Sequence, residues 1–132
     1  MNEIFKQYVS LKDIVSAHLK GPLTSISLLQ MLNDMRKIVD EYMNELTQDV
    51  CERLVSQARR FIPPKDIEGI VLSANIVLKA AAINVFIDEY FMSLTSITGL
   101  KKKFWDEIEK DGISFSMWSN LQRALRYETC DH

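Results

Sequence analysis

Ile70-Val71-Leu72-Ser73-Ala74-Asn75-Ile76-Val77-Leu78-Lys79-Ala80-Ala81-Ala82-Ile83-Asn84-Val85-Phe86-Ile87 is the most apolar stretch of the chain. Its apolar residues fall on every side of a helical wheel, and a helix with no polar face is a buried one. The β-branched content keeps a strand open as an alternative. The Ala80-Ala81-Ala82 run and the length of the segment favour helix. Pro63-Pro64 stops whatever precedes it, because proline disfavours helix in the residue before it. Lys65-Asp66 then lead into a central helix predicted over about 66–94. Adjacent Asp88 and Glu89 diverge by about 100° around that helix and mark where it emerges into water. Asn75, Lys79 and Asn84 interrupt the run, which falls short of what a membrane-spanning helix needs. No membrane partner is expected.

The flanking segments read as amphipathic helices. Ile4, Phe5, Tyr8, Val9, Leu11, Ile14, Val15 and Leu19 recur at spacings of three and four over residues 3–20. Gly21-Pro22 ends that helix, and Thr24 or Ser25 is placed to cap the next. Leu28, Leu32, Met35, Val39, Tyr42 and Leu46 form a heptad seam. Beyond Leu46 the steps become four and four through Val50, Leu54 and Ala58. One helix from 24 to 62 would be about 58 Å long, too long for this chain, so a break is expected near Thr47. Ser93 to Gly99 is a turn by composition. Leu100 to Asp111 carries the stripe Leu100, Phe104, Trp105 and Ile108, and Gly112 stops it. Ser114 or Ser116 caps a last helix through about Tyr127, which buries Met117 or Trp118, Leu121, Ala124 and Leu125, and residues 128–132 are expected to fray. The expected fold is all-α: a compact bundle of five or six helices around a central apolar helix (about 66–94), in a single helical domain over 1–132.

Composition agrees. The chain has 132 residues, 47% apolar and 26% charged, with a formal net charge of −2. That apolar content argues against disorder, and 4 Gly with 3 Pro exclude collagen-like and low-complexity chains. The charge balance disfavours a strongly basic nucleic-acid protein. Met1-Asn2-Glu3-Ile4-Phe5-Lys6 lacks the basic and apolar regions of a signal peptide. Cys51 and Cys130 lack metal spacing and read as reduced thiols. The expected location is cytoplasmic.

Sequence signals for catalysis are missing: no GxGxxG, P-loop, HExxH, GxSxG or CxxC occurs. The only histidines are His18 and His132, and Cys130-x-His132 has no second Cys/His pair to complete a metal site. No catalytic residue, metal or cofactor is assigned, and the protein is read as a non-enzyme.

Three binding readings remain. The first is a protein–protein interaction module: a helical adaptor, regulator or assembly factor that self-associates. Its candidate surface is Met31, Met35, Tyr42 and Met43, whose flexible or amphipathic side chains suit an adaptable groove. The heptad seam through 28–46 packs within its own bundle or serves a homodimer, and the first fate is preferred. The six acids in residues 34–53 are read as a solvated side of the bundle. The second reading is a DNA-binding regulator. Phe104 to Leu125 mimics a helix–turn–helix pair turning at Gly112-Ile113-Ser114, so residues 104–126 would offer Ser116, Asn120 and Arg123 to a major groove. Lys101, Lys102 and Lys103 would meet phosphates. Glu107 and Asp111 stand where that motif wants apolar residues.

The third reading rests on Ser16-Ala17-His18-Leu19-Lys20-Gly21-Pro22-Leu23-Thr24-Ser25-Ile26. Lys20, Pro22, Leu23, Thr24 and Ile26 fall on a pattern that resembles the phosphoacceptor box of sensor histidine kinases. The resemblance puts Ala17 at the phosphoacceptor position and His18 in place of the acid. Leu19-Lys20-Gly21 is also similar to the box of histidine phosphotransfer domains, with the histidine again one residue late. The resemblance covers 11 residues and implies a degenerate phosphorelay-like partner. Protein partners, not nucleic acid, are favoured.

Overall fold

The structure, a computed structural model, describes residues 2–126. In chain order the helices are α1 (Glu3–His18), α2 (Leu28–Asn44), α3 (Gln48–Phe61), α4 (Pro64–Ile67), α5 (Ala74–Ser96), α6 (Leu100–Glu109) and α7 (Phe115–Arg126). No strand occurs among the described residues. Six of these helices match the expected segments. The seventh, α4, is a single turn that Pro64 opens.

The N-cap of α1 is Asn2, whose Oδ1 accepts from the Phe5 N–H at 2.6 Å. Ile4, Tyr8, Leu11 and Val15 form its buried stripe. The helix stops at His18, two residues before the expected end. Gly21 then lies in the connecting loop with φ 77°, a region that suits glycine. Thr24 does act at the next turn: its Oγ1 accepts from the Ser27 N–H, while Ser27 Oγ accepts from the Thr24 N–H. This reciprocal pair has the logic of a capping box. Leu28, Leu32, Met35 and Val39 are buried, and Tyr42 and Leu46 pack against them. The seam therefore closes inside its own bundle. The break at Thr47 is present, with Thr47 Oγ1 accepting from the Val50 N–H at 3.2 Å to start α3.

The central helix differs from expectation at both ends. It begins at Ala74, because Gly69 adopts φ 77° and ends the α4 turn. Residues 70–73 are then irregular, with Leu72 buried and Val71 exposed. Ser73 supplies the cap, its Oγ accepting from the Ile76 N–H at 3.3 Å. At the other end the helix runs through Ser93 to Ser96, with a local kink at Tyr90 (φ −116°, ψ 23°). Leu94 is buried, which holds that last turn onto the core. Asp88 and Glu89 are exposed, as the emergence argument requires.

Helix α5 lies at the centre. It packs most extensively on α1, then on α2, α3 and α6, and all six longer helices feed one apolar core. Ala80, Ala81 and Ala82 are all buried, so neighbouring backbones approach α5 closely on several sides. Its one buried amide is satisfied: Asn84 Nδ2 donates to the Tyr8 hydroxyl at 2.9 Å. Ser114 Oγ caps α7 by accepting from the Met117 N–H, and Met117, Leu121, Ala124 and Leu125 are buried. The expected extension to Tyr127 and the 128–132 tail lie outside the described residues.

Candidate functional site

Met31 and Met35 face inward and are buried at 8% and 1% exposure, so they offer a partner almost no surface. This corrects their assignment to an adaptable groove. They are the apolar side of α2, whose inward stripe is fixed by the helical repeat whether the seam meets its own bundle or another chain. Tyr42 and Met43 are half-buried. The Tyr42 hydroxyl donates to Gln7 Oε1, and Gln7 Nε2 donates to Glu3 Oε2 at 2.7 Å. Burial raises the Tyr42 phenol above its ordinary value; a bond to Ser10 opposes this, and the charges of Glu3 and Glu45 add to it. The candidate set is thus split between the core and a polar seam between α1 and α2.

The six residues of the DNA-binding reading are not gathered on one surface. Lys101, Lys102 and Lys103 are exposed on the first turn of α6, with Lys102 paired to Asp106 at 2.9 Å. Ser116 Oγ donates to Asp66 Oδ2 at 2.9 Å, and Asn120 Nδ2 approaches the same oxygen at 3.4 Å. Arg123 lies over the Phe61 ring at 5.7 Å and donates to the Phe61 carbonyl. The three side chains meant for base edges instead tie α7 to α3 and α4, around a carboxylate that repels phosphate. Phe115 and Trp118 face the Lys101 side, about 100° and 160° around α7 from Ser116.

Glu107 and Asp111 have a structural role. Arg36 Nε donates to Asp111 Oδ2 at 2.9 Å, and Arg36 Nη2 donates to the Glu107 carbonyl at 3.0 Å. Lys79 Nζ lies 3.6 Å from Asp111 Oδ1. These four side chains are 14–18% exposed and pin the end of α6 to α2 and α5. Lys110, bonded to Glu107 at 2.6 Å, is the main cause of the lowered Glu107 carboxyl; burial opposes it and Arg36 assists.

His18 is exposed at the end of α1, with Nδ1 2.9 Å from the Ile14 carbonyl. Glu41 and Glu45 line the same shallow cleft, a surround that disfavours an incoming phosphoryl group. Cys51 is a half-buried free thiol on α3. Among the described residues no group of three or more His, Cys, Asp or Glu side chains is placed to hold a metal, and Cys130-x-His132 lies outside them. Nor is any described helix long and apolar enough to cross a membrane.

The feature that the sequence reading missed is an aromatic groove of about 170 Å³ where α5, α6 and α7 meet. Phe91, Lys101, Phe104, Trp105, Phe115 and Trp118 contribute to its walls. Trp105 stands edge-on to Phe115 and to Trp118, each with ring centroids 5.1 Å apart. Phe91 and Phe115 remain 56% and 58% exposed on its two banks. No carboxylate lines it. Comparison with protein-family models, with curated proteins and with solved structures returns no match. The chemistry of this face therefore carries the functional argument. Trp105 and Trp118 read in the sequence as parts of core stripes, and Phe115 was not singled out. Their shared groove depends on where α7 returns after the Gly112 turn.

Proposed function

We propose that the protein is a non-enzymatic protein–protein interaction module of the cytoplasm, an adaptor, regulator or assembly factor that docks a protein segment in the α5–α6–α7 groove. The observation that carries this reading is the exposure of Phe91 and Phe115 on one concave face. At about 200 Å² per aromatic side chain, their uncovered fractions come to roughly 230 Å² of apolar surface. Apolar side chains left exposed along one groove are a recurrent mark of an interaction site. Aromatic side chains are also enriched where proteins meet. This face replaces Met31 and Met35 as the centre of the partner surface.

The test compares the proteins captured from the native cell by the wild-type chain and by a Phe91→Glu, Phe115→Glu variant. Both positions are more than half exposed, so the helical circular dichroism should not change. The expected result is loss of specific captured proteins in the variant. An unchanged set would sink the docking face. Salt-sensitive binding to duplex DNA, abolished by Lys101→Glu, would favour the regulator reading instead. Acid-labile phosphate on His18 after incubation with acetyl phosphate would favour the phosphorelay reading.

A further inference from the structure

Building on the reading of this groove as a docking face, we propose that its occupant is a second copy of the chain, in a two-fold symmetric dimer centred on the C-terminal part of α5. A two-fold interface is isologous, so each copy has to present both a projecting group and a recess that receives it. This face has both. Phe91 projects at 56% exposure from the rim of the groove, which holds about 170 Å³. A cavity of about 150 Å³ takes one benzene-sized group, so the recess fits a single methionine or phenylalanine side chain.

The charges have the same self-complementary layout. Asp88 and Glu89 are exposed one turn before Met92, and Lys101 lines the groove beyond the end of α5. Two α5 helices crossing antiparallel about Phe91 and Met92 oppose the residues four positions upstream on one copy to those four positions downstream on the other. Asp88 of one copy, which shares the face between Phe91 and Met92, then faces Ser96 and the start of α6 on its partner. That end offers Lys101 and the amide terminus of α6, where Gly99 provides no side-chain cap. No ion pair engages Asp88, Glu89 or Lys101 among the described residues. Symmetry creates each acid–base contact twice. A foreign acidic segment would satisfy Lys101 but leave Asp88 facing like charge.

The experiment is sedimentation velocity of the full chain over a range of concentrations. The wild type should shift from monomer to dimer as concentration rises. Lys101→Glu and Asp88→Lys should each weaken self-association about tenfold or more through repulsion across both contacts. Mixed in equal amounts, the two variants should regain it, because every cross-contact in the mixed pair again joins opposite charges. Phe91→Ser should yield a monomer with unchanged helicity. A chain that stays monomeric, a dimer indifferent to both charge reversals, or a mixture no stronger than its components would overturn the proposal. A monomeric chain that still loses its captured proteins on Phe91→Glu sinks the dimer and keeps the docking face. If self-association and capture both ignore that substitution, both readings fall.

Discussion

Replacing Arg36 with methionine tests what holds α6 onto the rest of the bundle. The substitution keeps an aliphatic stem of similar length and removes only the guanidinium. That group donates to Asp111 Oδ2 at 2.9 Å, to the Glu107 carbonyl at 3.0 Å and to Asn33 Oδ1 at 2.8 Å. Removing one partner of a fully buried pair costs about 3–5 kcal/mol. Here the side chains keep 14–18% exposure, Lys79 stays 3.6 Å from Asp111, and Lys110 still bonds Glu107. Solvent and these remaining cations reduce the expected loss to about 2 kcal/mol. For a chain of this length that is roughly an 8 °C fall in melting temperature. Urea and thermal unfolding followed by circular dichroism measure it, and a double-mutant cycle with Asp111→Asn should show coupling of about 1 kcal/mol. A variant within about 0.5 kcal/mol of wild type, with no coupling, would refute the argument that this cluster anchors the end of α6. The cluster also has an acid signature. The Glu107 carboxyl titrates below its ordinary value of 4.5, so its contribution is complete above that pH and is lost as pH falls through the lowered value. Lys110 is the leading cause, so Lys110→Met should flatten this acid-side loss more than Arg36→Met does.

Tyr8→Phe leaves the buried Asn84 amide without its acceptor and should cost about 1–2 kcal/mol in urea unfolding; no change would mean that the amide finds another partner. Gly99 has φ 80° and open space around a built Cβ, so Gly99→Ala should cost about 1 kcal/mol from backbone conformation alone, with Gly99→Asn milder; equal stability of all three would contradict this. Phe104 is fully buried and stacks on Phe86 at 5.4 Å, so Phe104→Ala should lose about 3–5 kcal/mol and open a cavity beside the groove. A much smaller loss would show that the aromatic layer collapses to fill the space.

The sequence carried the fold wherever apolar periodicity was decisive, and misled where short polar residues hid it. Apolar residues on every side of 70–87 favoured a buried helix over a strand, and the change of step after Leu46 located the break at Thr47. Serine and threonine near residue 95 looked like a turn. In the structure Thr95 and Ser96 remain helical, with their hydroxyls donating to the Phe91 and Met92 carbonyls of the preceding turn. Ile70, Val71 and Leu72 looked like helix because an apolar run does not by itself distinguish helix from an extended connection; Gly69 and Ser73 decide it. Arg36 lies 75 residues from Asp111, so nothing local reveals that the charges at the turn after α6 are structural. The groove has the same origin: Phe104, Trp105 and Trp118 read as stripe residues, but the convergence of the aromatics depends on the path of α7.

Helix α1 has one more consequence. Its stripe of Ile4, Tyr8, Leu11 and Val15 is covered chiefly by α5, and Asn2 Nδ2 donates to the Ala124 carbonyl of the last helix. During synthesis the first helix leaves the ribosome roughly seventy residues ahead of the helix that shelters it, an interval of about 4–14 s at 5–20 residues per second. Through that interval the nascent chain exposes a greasy ridge to the cell. Its risk of misassembly is concentrated before α5 emerges, and slower translation through α2–α4 should lengthen the period in which chaperones are needed.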